Sequence, residues 1–458
     1  MSDLGDAQTV TARRLFEVSA PVSPDLHLVR SQVGLHLLLP NGNRLFDVDA
    51  ATFESLEAVR QSANGSALEE LLRAKGLDLR KFIDDAPVVD PQVRALSLAV
   101  AQKCNLGCTY CYAQQGTFGG PPKNMPLQTA LLAVDLLFKD VRSGDRLNLS
   151  FLGGEPLVNR SVIRSATERA RQVSSEKGAE VTFSITTNGT LLTPEDGDFF
   201  EQYGFAVTVS LDGLGQDHDQ LRPFKGGQGS FARVIQRVAP LIAQQRQMQV
   251  SARVTVTPRN LALKETLDAF VTFGFHSVGF SPLLRSPSGS DEMTLSDLEM
   301  MLDQMVTCGE EFERRVIAGQ RYPFANMVNA MREIHRGTHR PYPCGAGAGY
   351  LGVSADGDLS ACHRFVGDED GAMGDLVNGV DRGKQVMWLT ERHVHRQQPC
   401  QQCWARYMCG GGCHHEVIKR GRPACDYIRG WLHYCLSAYS SLVSARPDYF
   451  GSQPATTH

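Results

Sequence analysis

The sequence predicts an α/β protein built on an open, partial (β/α)6 TIM-like barrel, with a small winged-helix-like domain before it and a cysteine-rich domain after it. Three observations lead there. From Leu96 onward, short apolar runs alternate with amphipathic stretches, the signature of βα units around a parallel sheet. Ahead of that point the pattern is a short antiparallel meander with two helices. After about Arg340, regular periodicity gives way to Gly- and Cys-rich sequence. The expected domains are 1–94, 95–335 and 336–458.

In chain order, Leu26–Arg30, Gly34–Leu39 and Arg44–Val48 read as three strands, with Asn41-Gly42 as a hairpin turn. Helices follow at Thr52–Arg60 and Ala67–Lys75, then linker character over Asp84–Asp90. The barrel strands are expected at Leu96–Ala101, Leu147–Leu152, Val181–Thr186, Phe205–Leu211, Val250–Thr257 and Ser277–Ser281. Leu127–Asp140 carries one apolar stripe, and Ser230–Gln245 and Asn260–Phe273 serve as further crossovers. Six strands are too few for a closed eight-fold barrel and suit an open one. In either case chemistry belongs at the C-terminal strand ends. Internal repeats are absent from the sequence.

At 458 residues with net charge −4, the chain has no electrostatic footprint for nucleic acid or an anionic membrane. No apolar run reaches a membrane span, and the polar, acidic start lacks a signal-peptide pattern. A cytoplasmic protein is expected, in which twelve cysteines are metal ligands rather than disulfides. Eleven fall in two groups, 104–111 and 344–435. Cys308, alone in the helix-like Leu298–Arg315, reads as a buried structural thiol.

The most informative stretch is Cys104-Asn-Leu-Gly-Cys108-Thr-Tyr-Cys111, directly after the first barrel strand. A cubane cluster takes four thiolates, so a loop offering three leaves one iron open to another ligand. A zinc knuckle is the alternative, but zinc motifs usually pair CxxC with a second pair. With Tyr110 before Cys111, this stretch resembles the signature of radical S-adenosylmethionine (SAM) enzymes. Further motifs of that family follow in order over roughly residues 95–285.

Gly153-Gly154-Glu155-Pro156 ends the second strand, and the resemblance implies that it meets the SAM amino group. Thr187-Asn188-Gly189 follows the third strand, and Ser210-Leu-Asp212-Gly213 closes the fourth. Asn188, Ser210 and Asp212 are thereby candidates for ribose and methionyl contacts, although Ser and Asp also form turns. Tyr110 is expected against the adenine. His218-Asp219-x-x-Arg222 continues the family-like run, and Arg222 could pair with a carboxylate. Arg253 is a similar candidate that could instead satisfy an internal acid.

The C-terminal field reads Cys344-x12-Gly357-x4-Cys362, Cys400-x2-Cys403-x5-Cys409-x3-Cys413, Cys425 and Cys435. It resembles the SPASM extension of peptide and protein maturases, which implies two auxiliary iron–sulfur clusters, most simply [4Fe–4S], and three clusters in all. By that pattern Cys344, Cys362 and Cys413 hold the first. Cys400, Cys403, Cys409 and Cys425 hold the second. Cys435 either completes the first or is structural. Zinc is the alternative for the CxxC pairs.

The position after the second SPASM cysteine is an aspartate base in sulfatase maturases, and here it is His363. Cys362-His363-x-Phe-Val-Gly resembles thioether-forming peptide maturases. Cys409-Gly-Gly-Gly-Cys413-His-His-Glu and Asp426-Tyr-Ile-Arg-Gly-Trp resemble quinohemoprotein amine dehydrogenase maturation proteins. The resemblance implies an enzyme that links substrate Cys sulfur to an Asp or Glu methylene through a 5′-deoxyadenosyl radical. His363 and Arg222 are the catalytic candidates. Alternatives are a C–C or C–O crosslink, epimerisation, formylglycine-type oxidation, or a non-catalytic iron–sulfur electron carrier. The implied partners are a ribosomally made peptide or small Cys-rich protein and a donor such as flavodoxin or ferredoxin. Residues 26–75 then read either as a leader-peptide recognition element or as a structural cap.

Overall fold

The computed structural model describes residues 25–62, 65–77 and 81–451. Near its start, β1 (His27–Arg30), β2 (Leu35–Leu39) and β3 (Arg44–Val48) pair antiparallel in that order. The Pro40–Asn43 turn closes with Asn43 N–H donating to the Pro40 carbonyl at 2.9 Å. Gly42 holds φ +87° there, a conformation glycine adopts without strain. Helices α1 (Ala50–Ser62) and α2 (Gly65–Ala74) complete this unit around Leu28, Leu37, Phe53, Leu56 and Leu72.

The barrel follows the expected alternation. β4 (Ala95–Gln102) is buried along seven of its eight residues, which places it at the centre of a sheet. A two-residue β5 (Lys123–Asn124) pairs antiparallel with its end. Then come β6 (Arg146–Gly153), β7 (Glu180–Thr187), β8 (Ala206–Ser210), β9 (Gln249–Val256) and β10 (Val278–Pro282), stacked parallel in the order β4-β6-β7-β8-β9-β10. Their crossover helices are α3 (Leu127–Leu137), α4 (Arg160–Lys177), α5 (Pro194–Tyr203), α6 (Gly215–Leu221), α7 (Phe231–Gln244) and α8 (Leu263–Phe273). α5 shows how locally such an element is specified. Thr193 and Asp196 form a reciprocal capping box, Pro194 opens the first turn, and Gly204 ends the helix in the left-handed region. α9 (Leu295–Ile317) and α10 (Ala325–His335) close the barrel's far side. Cys308 is fully buried in α9, as a structural thiol should be.

The C-terminal third contains more regular structure than its sequence suggests. β11 (Tyr350–Val353) runs parallel to β4 on the side away from β6, so the barrel sheet continues into the cysteine-rich region. β12 (Asp358–Ser360), β13 (Ala372–Asp375) and β14 (Gly379–Val380) extend it antiparallel. Strands of two to four residues are too short to show a period of two. α11 (Arg382–Arg392), α12 (Arg406–Cys409) and α13 (His414–Arg420) follow, and α14 (Cys425–Ala445) is long. α14 buries Tyr427, Gly430, Tyr434, Ala438 and Leu442 along one face, and also Arg429, His433 and Leu436 away from it, so it is packed on more than one side. Among the described residues, no helix is long and apolar enough to cross a membrane.

Candidate active site

Every parallel strand ends at one cavity of about 510 Å³. Its wall includes Gly153 and Gly154 after β6, Thr187 and Asn188 after β7, Ser210 on β8, Arg253 on β9 and Ser281 on β10. Cys104, Cys108 and Cys111 line it from the loop after β4. That loop is clamped to the α6–α7 connection, where Gly107 N–H donates to Pro223 at 2.8 Å and Thr109 N–H to Leu221 at 3.2 Å. Cys104 Sγ accepts from Leu106 N–H at 3.4 Å and from Asn188 Nδ2 at 3.7 Å. Arg222 Nη1 lies 3.9 Å from Cys108 Sγ. Burial pushes the Cys104 thiol up and the Cys108 thiol up to about 12.

Gly153 and Gly154 are required by packing as well as by any ligand. A Cβ on Gly153 would lie 2.2 Å from the Ala101 carbonyl oxygen, and one on Gly154 would lie 2.4 Å from that of Lys103. Glu155 stands apart from the two glycines of this motif. It is fully buried behind the cavity wall, not on it. One oxygen accepts from Thr187 Oγ1 at 2.7 Å and Leu157 N–H at 3.1 Å, the other from Asn188 N–H at 2.8 Å. With these donors in place the carboxylate braces the β7 turn that presents Asn188. Asn188 itself does reach the cavity, held by its donation to Asn105 Oδ1 at 2.9 Å.

Asp212 likewise lies behind the cavity wall. It is fully buried, and a ribose hydroxyl would find its carboxylate already occupied. Oδ2 accepts from the Tyr110 hydroxyl and from Arg222 Nε at 2.6 Å; Oδ1 accepts from Thr255 N–H at 2.8 Å. The Arg222 guanidinium stands 5.4 Å from the Tyr110 ring centroid. Asp212 thus fixes two side chains that do line the cavity. Behind it, His218 Nδ1 accepts from Asp212 N–H at 3.1 Å, and Nε2 bonds Ser230 Oγ at 2.9 Å. Burial pulls the His218 pKa down to about 4. The His-Asp-x-x-Arg run is therefore a scaffold that ends in one cavity residue.

Across the cavity stand Tyr350, His363, Arg364 and Glu416. His363 Nδ1 bonds the Tyr350 hydroxyl at 2.7 Å, which also donates to Ser97 Oγ at 2.8 Å. Burial holds the His363 pKa down near 4. Arg364 pairs with Glu416 at 2.5 Å and stacks 5.3 Å over Tyr112. Sequence reasoning gave no role to Tyr112, Tyr350, Arg364 or Glu416. Tyr112 and Arg364 adjoin cavity residues in the chain, and Glu416 ends the quoted Cys-His-His-Glu run. Tyr350 had no local signal, because it arrives through the β11–β4 pairing.

The C-terminal cysteines divide. Cys344, Cys362 and Cys413 lie close enough to repel one another's thiolates. Cys400, Cys403, Cys409 and Cys425 line a second, smaller cavity of about 60 Å³, shared at its rim with Cys413. Cys435 joins neither group. It is fully buried in the α14 core with its Sγ 3.9 Å from Met327 Sδ. Its inclusion among the metal ligands is corrected on that ground. Among the described residues, no three His, Cys, Asp or Glu side chains converge on a single-ion site.

Residues 98–245 match the sequence profile of the Radical SAM superfamily. An uncharacterized protein of Methanocaldococcus jannaschii is 29% identical over 204 residues, 44% of this chain and 66% of that protein's length. A serine-type anaerobic sulfatase-maturating enzyme of Klebsiella aerogenes is 25% identical over 342 residues, 72% of this chain and 82% of its own. Among solved structures, anSMEcpe with bound AdoMet superposes with TM-score 0.62 at 17% identity, over 78% of this chain and all of that one. Streptococcus suis SuiB bound to precursor peptide SuiA gives 0.51 at 16% identity, over 88% and 97%. The chain carries a radical SAM domain in a mixed α/β fold; its sequence is similar to those of anaerobic sulfatase-maturating enzymes, and SuiB shares its fold. Radical SAM enzymes acting on peptides or proteins are its relatives.

Proposed function

We propose that this protein is a peptide maturase that forms intra-peptide thioethers, joining a substrate Cys sulfur to an Asp or Glu methylene carbon. The observation that carries the reading is the single 510 Å³ cavity reaching from the Cys104–Cys111 loop to His363 and Arg364, beside Cys362. A peptide placed there lies between the two cysteine groups.

Cys104, Cys108 and Cys111 would hold a [4Fe–4S] cluster, which with SAM supplies a 5′-deoxyadenosyl radical able to take hydrogen from an unactivated carbon. The donor set fits, since three thiols face one cavity and the adjoining Gly153-Gly154 segment forms part of its wall. Asn188 and Ser210 offer polar groups to the nucleoside side, and Tyr110 offers an aromatic face held by Asp212. Arg222, beside Cys108, is placed for the methionyl carboxylate.

Cys344, Cys362 and Cys413 would hold a first auxiliary cluster, and Cys400, Cys403, Cys409 and Cys425 a second. With Cys435 in the core, the first set has three thiols, one fewer than a cubane takes. A substrate thiolate suits the fourth place. His363 stands in place of an acid beside Cys362, and its Nδ1 is already engaged with the Tyr350 hydroxyl at 2.7 Å, which speaks against formylglycine-type oxidation by that position.

The N-terminal sheet suits leader recognition by strand addition. β1 packs towards α14, and β3 pairs only with β2 among the described residues, leaving one edge open. A flavodoxin or ferredoxin is the reductant this reading needs. The test is anaerobic incubation of reconstituted protein with SAM, dithionite and a Cys-containing candidate precursor peptide. Formation of 5′-deoxyadenosine, loss of two hydrogens per crosslink and disappearance of alkylatable thiol are expected. Loss of hydrogen with all thiols still free would refute the thioether.

A further inference from the structure

Four arginines line the active cavity, and three of them have an acid. Arg222 pairs with Asp212 at 2.6 Å, Arg285 with Glu292 at 3.4 Å and Arg364 with Glu416 at 2.5 Å. Arg253 has none: among the described residues its side chain makes no hydrogen bond and no ion pair, although its backbone carbonyl accepts from Leu211 N–H at 3.0 Å. The sequence left open whether an internal acid satisfies it. Asp212 is the nearest acid that attracts it, but both Asp212 oxygens are already bonded to Tyr110, Arg222 and Thr255. The sole carboxylate on the cavity wall, among the described residues, is Glu416, and Arg364 holds it.

The sheet aims Arg253 into this space. Along β9, Val250, Ala252, Val254 and Val256 are buried against the helices, so Ser251, Arg253 and Thr255 face the barrel interior. Its register partners are Ser210 on β8 and Gly279 on β10. A serine and a glycine on either side leave a long side chain free to project. The guanidinium is open to the cavity and lies within electrostatic range of Arg364 and Cys413, on the side of His363. A guanidinium that faces the cavity with no protein acid keeps its hydrogen-bond donors available to an entering carboxylate. Such a site is completed by an anion that arrives with a ligand.

Two carboxylates can enter, one on SAM and one on the substrate. Arg222 stands at the Cys108 thiol, where the methionyl end belongs. Arg253 lies toward the second cysteine group, where a peptide belongs. We propose that Arg253 anchors the side-chain carboxylate of the acceptor Asp or Glu, and so selects acidic acceptors and fixes which carbon reacts. The planar fork of a guanidinium binds a carboxylate in two parallel hydrogen bonds. The reacting methylene is bonded directly to that carboxyl carbon, so holding the carboxylate holds the methylene. This inference rests on the peptide-maturase reading above and names its substrate class.

The test uses the reconstituted full chain with SAM and two synthetic peptides, acetyl-Cys-Gly-Gly-Glu amide and its Gln twin. Peptide affinity, SAM affinity and crosslinked product are measured for the wild type, Arg253→Gln and Arg253→Lys. The wild type should prefer the Glu peptide by about ten-fold or more, the scale of charge-assisted hydrogen bonds. Arg253→Gln should erase that preference, Arg253→Lys should keep part of it, and all three should bind SAM and iron alike. If Arg253→Gln weakens SAM about ten-fold and leaves the Glu preference intact, Arg253 serves the cofactor and the inference falls. It also falls if the wild type shows no preference. A preference that depends on Arg253 without any thioether product leaves the anchor standing and removes the thioether reading. Thioethers formed equally on both peptides do the reverse.

Discussion

Replacing Asp212 with alanine should unsettle the barrel even when no cofactor is present. The carboxylate is fully buried and accepts from the Tyr110 hydroxyl, Arg222 Nε at 2.6 Å and Thr255 N–H at 2.8 Å. Its removal strands a guanidinium whose side chain is only 12% exposed. Breaking a buried pair from one side typically costs about 3–5 kcal/mol. For a unit of this size each kcal/mol moves the melting midpoint by about 2–4 °C, giving a fall of roughly 6–20 °C. Calorimetry of the cofactor-free protein reads the total, and hydrogen exchange in β8 and β9 locates it. Tyr110 and Arg222 lose their common anchor, so SAM affinity should fall as a second consequence. A weaker SAM affinity with unchanged cofactor-free stability would refute the brace and restore Asp212 as a direct ribose ligand.

Alanine at Cys104, Cys108 and Cys111 together should abolish 5′-deoxyadenosine formation and remove about four iron atoms, leaving the C-terminal clusters. Iron analysis and electron paramagnetic resonance check this. Cys435→Ala should leave iron unchanged at a stability loss of about 1 kcal/mol, the scale of one small buried group, whereas Cys425→Ala should lose one cluster's share. Acid should destabilise the fold through His218, whose pKa burial lowers from 6.5 to about 4. The unfolded chain takes up a proton below pH 6.5 that the folded one refuses until about 4. Stability is therefore complete above 6.5 and falls as pH drops toward 4, by roughly 3 kcal/mol from this group. Denaturant titrations at pH 7 and 4.5 should show a smaller pH dependence in His218→Gln than in the wild type.

Much of the barrel was legible because its strands are short segments with apolar residues in runs or at every second position, and six such segments gave six strands at nearly the same bounds. The cysteine loop was legible because thiol spacing is itself the chemistry. The roles of Glu155 and Asp212 were not. A motif shows that an acid is needed at a place, but it does not show whether the acid meets the ligand or holds the group that does. Burial decides that, and both acids are fully buried with protein donors on both oxygens. Arg253 was legible as a candidate partner for a carboxylate, but whether an internal acid satisfies it was not, because only the folded neighbourhood shows that its side chain has none. Tyr350 entered the site through strand pairing across more than 250 residues, to which no local pattern is sensitive.

The N-terminal unit bears on how its own role should be tested. His27 stacks on Trp404 at 3.6 Å and bonds His433 at 2.8 Å, while Arg406 pairs with Asp25 at 3.1 Å. Deleting residues 1–90 would thus strip the cover from Trp404, next to Cys403, and damage the second cysteine group along with any peptide recognition. Proline substitutions on the open edge strand separate the two effects. Along an antiparallel strand, adjacent residues alternate between bonding the partner strand and facing outward. Of Phe46→Pro and Asp47→Pro, one removes a donor to β2 and the other a donor on the free edge of β3. Thermal melting identifies the first by its lower stability. The second should fold normally, retain uncoupled 5′-deoxyadenosine formation, and lose crosslinking of the full precursor. A high concentration of core peptide should partly restore it, because docking acts by raising local concentration. Unimpaired crosslinking of the full precursor by both variants would show that the β3 edge takes no part in recognition.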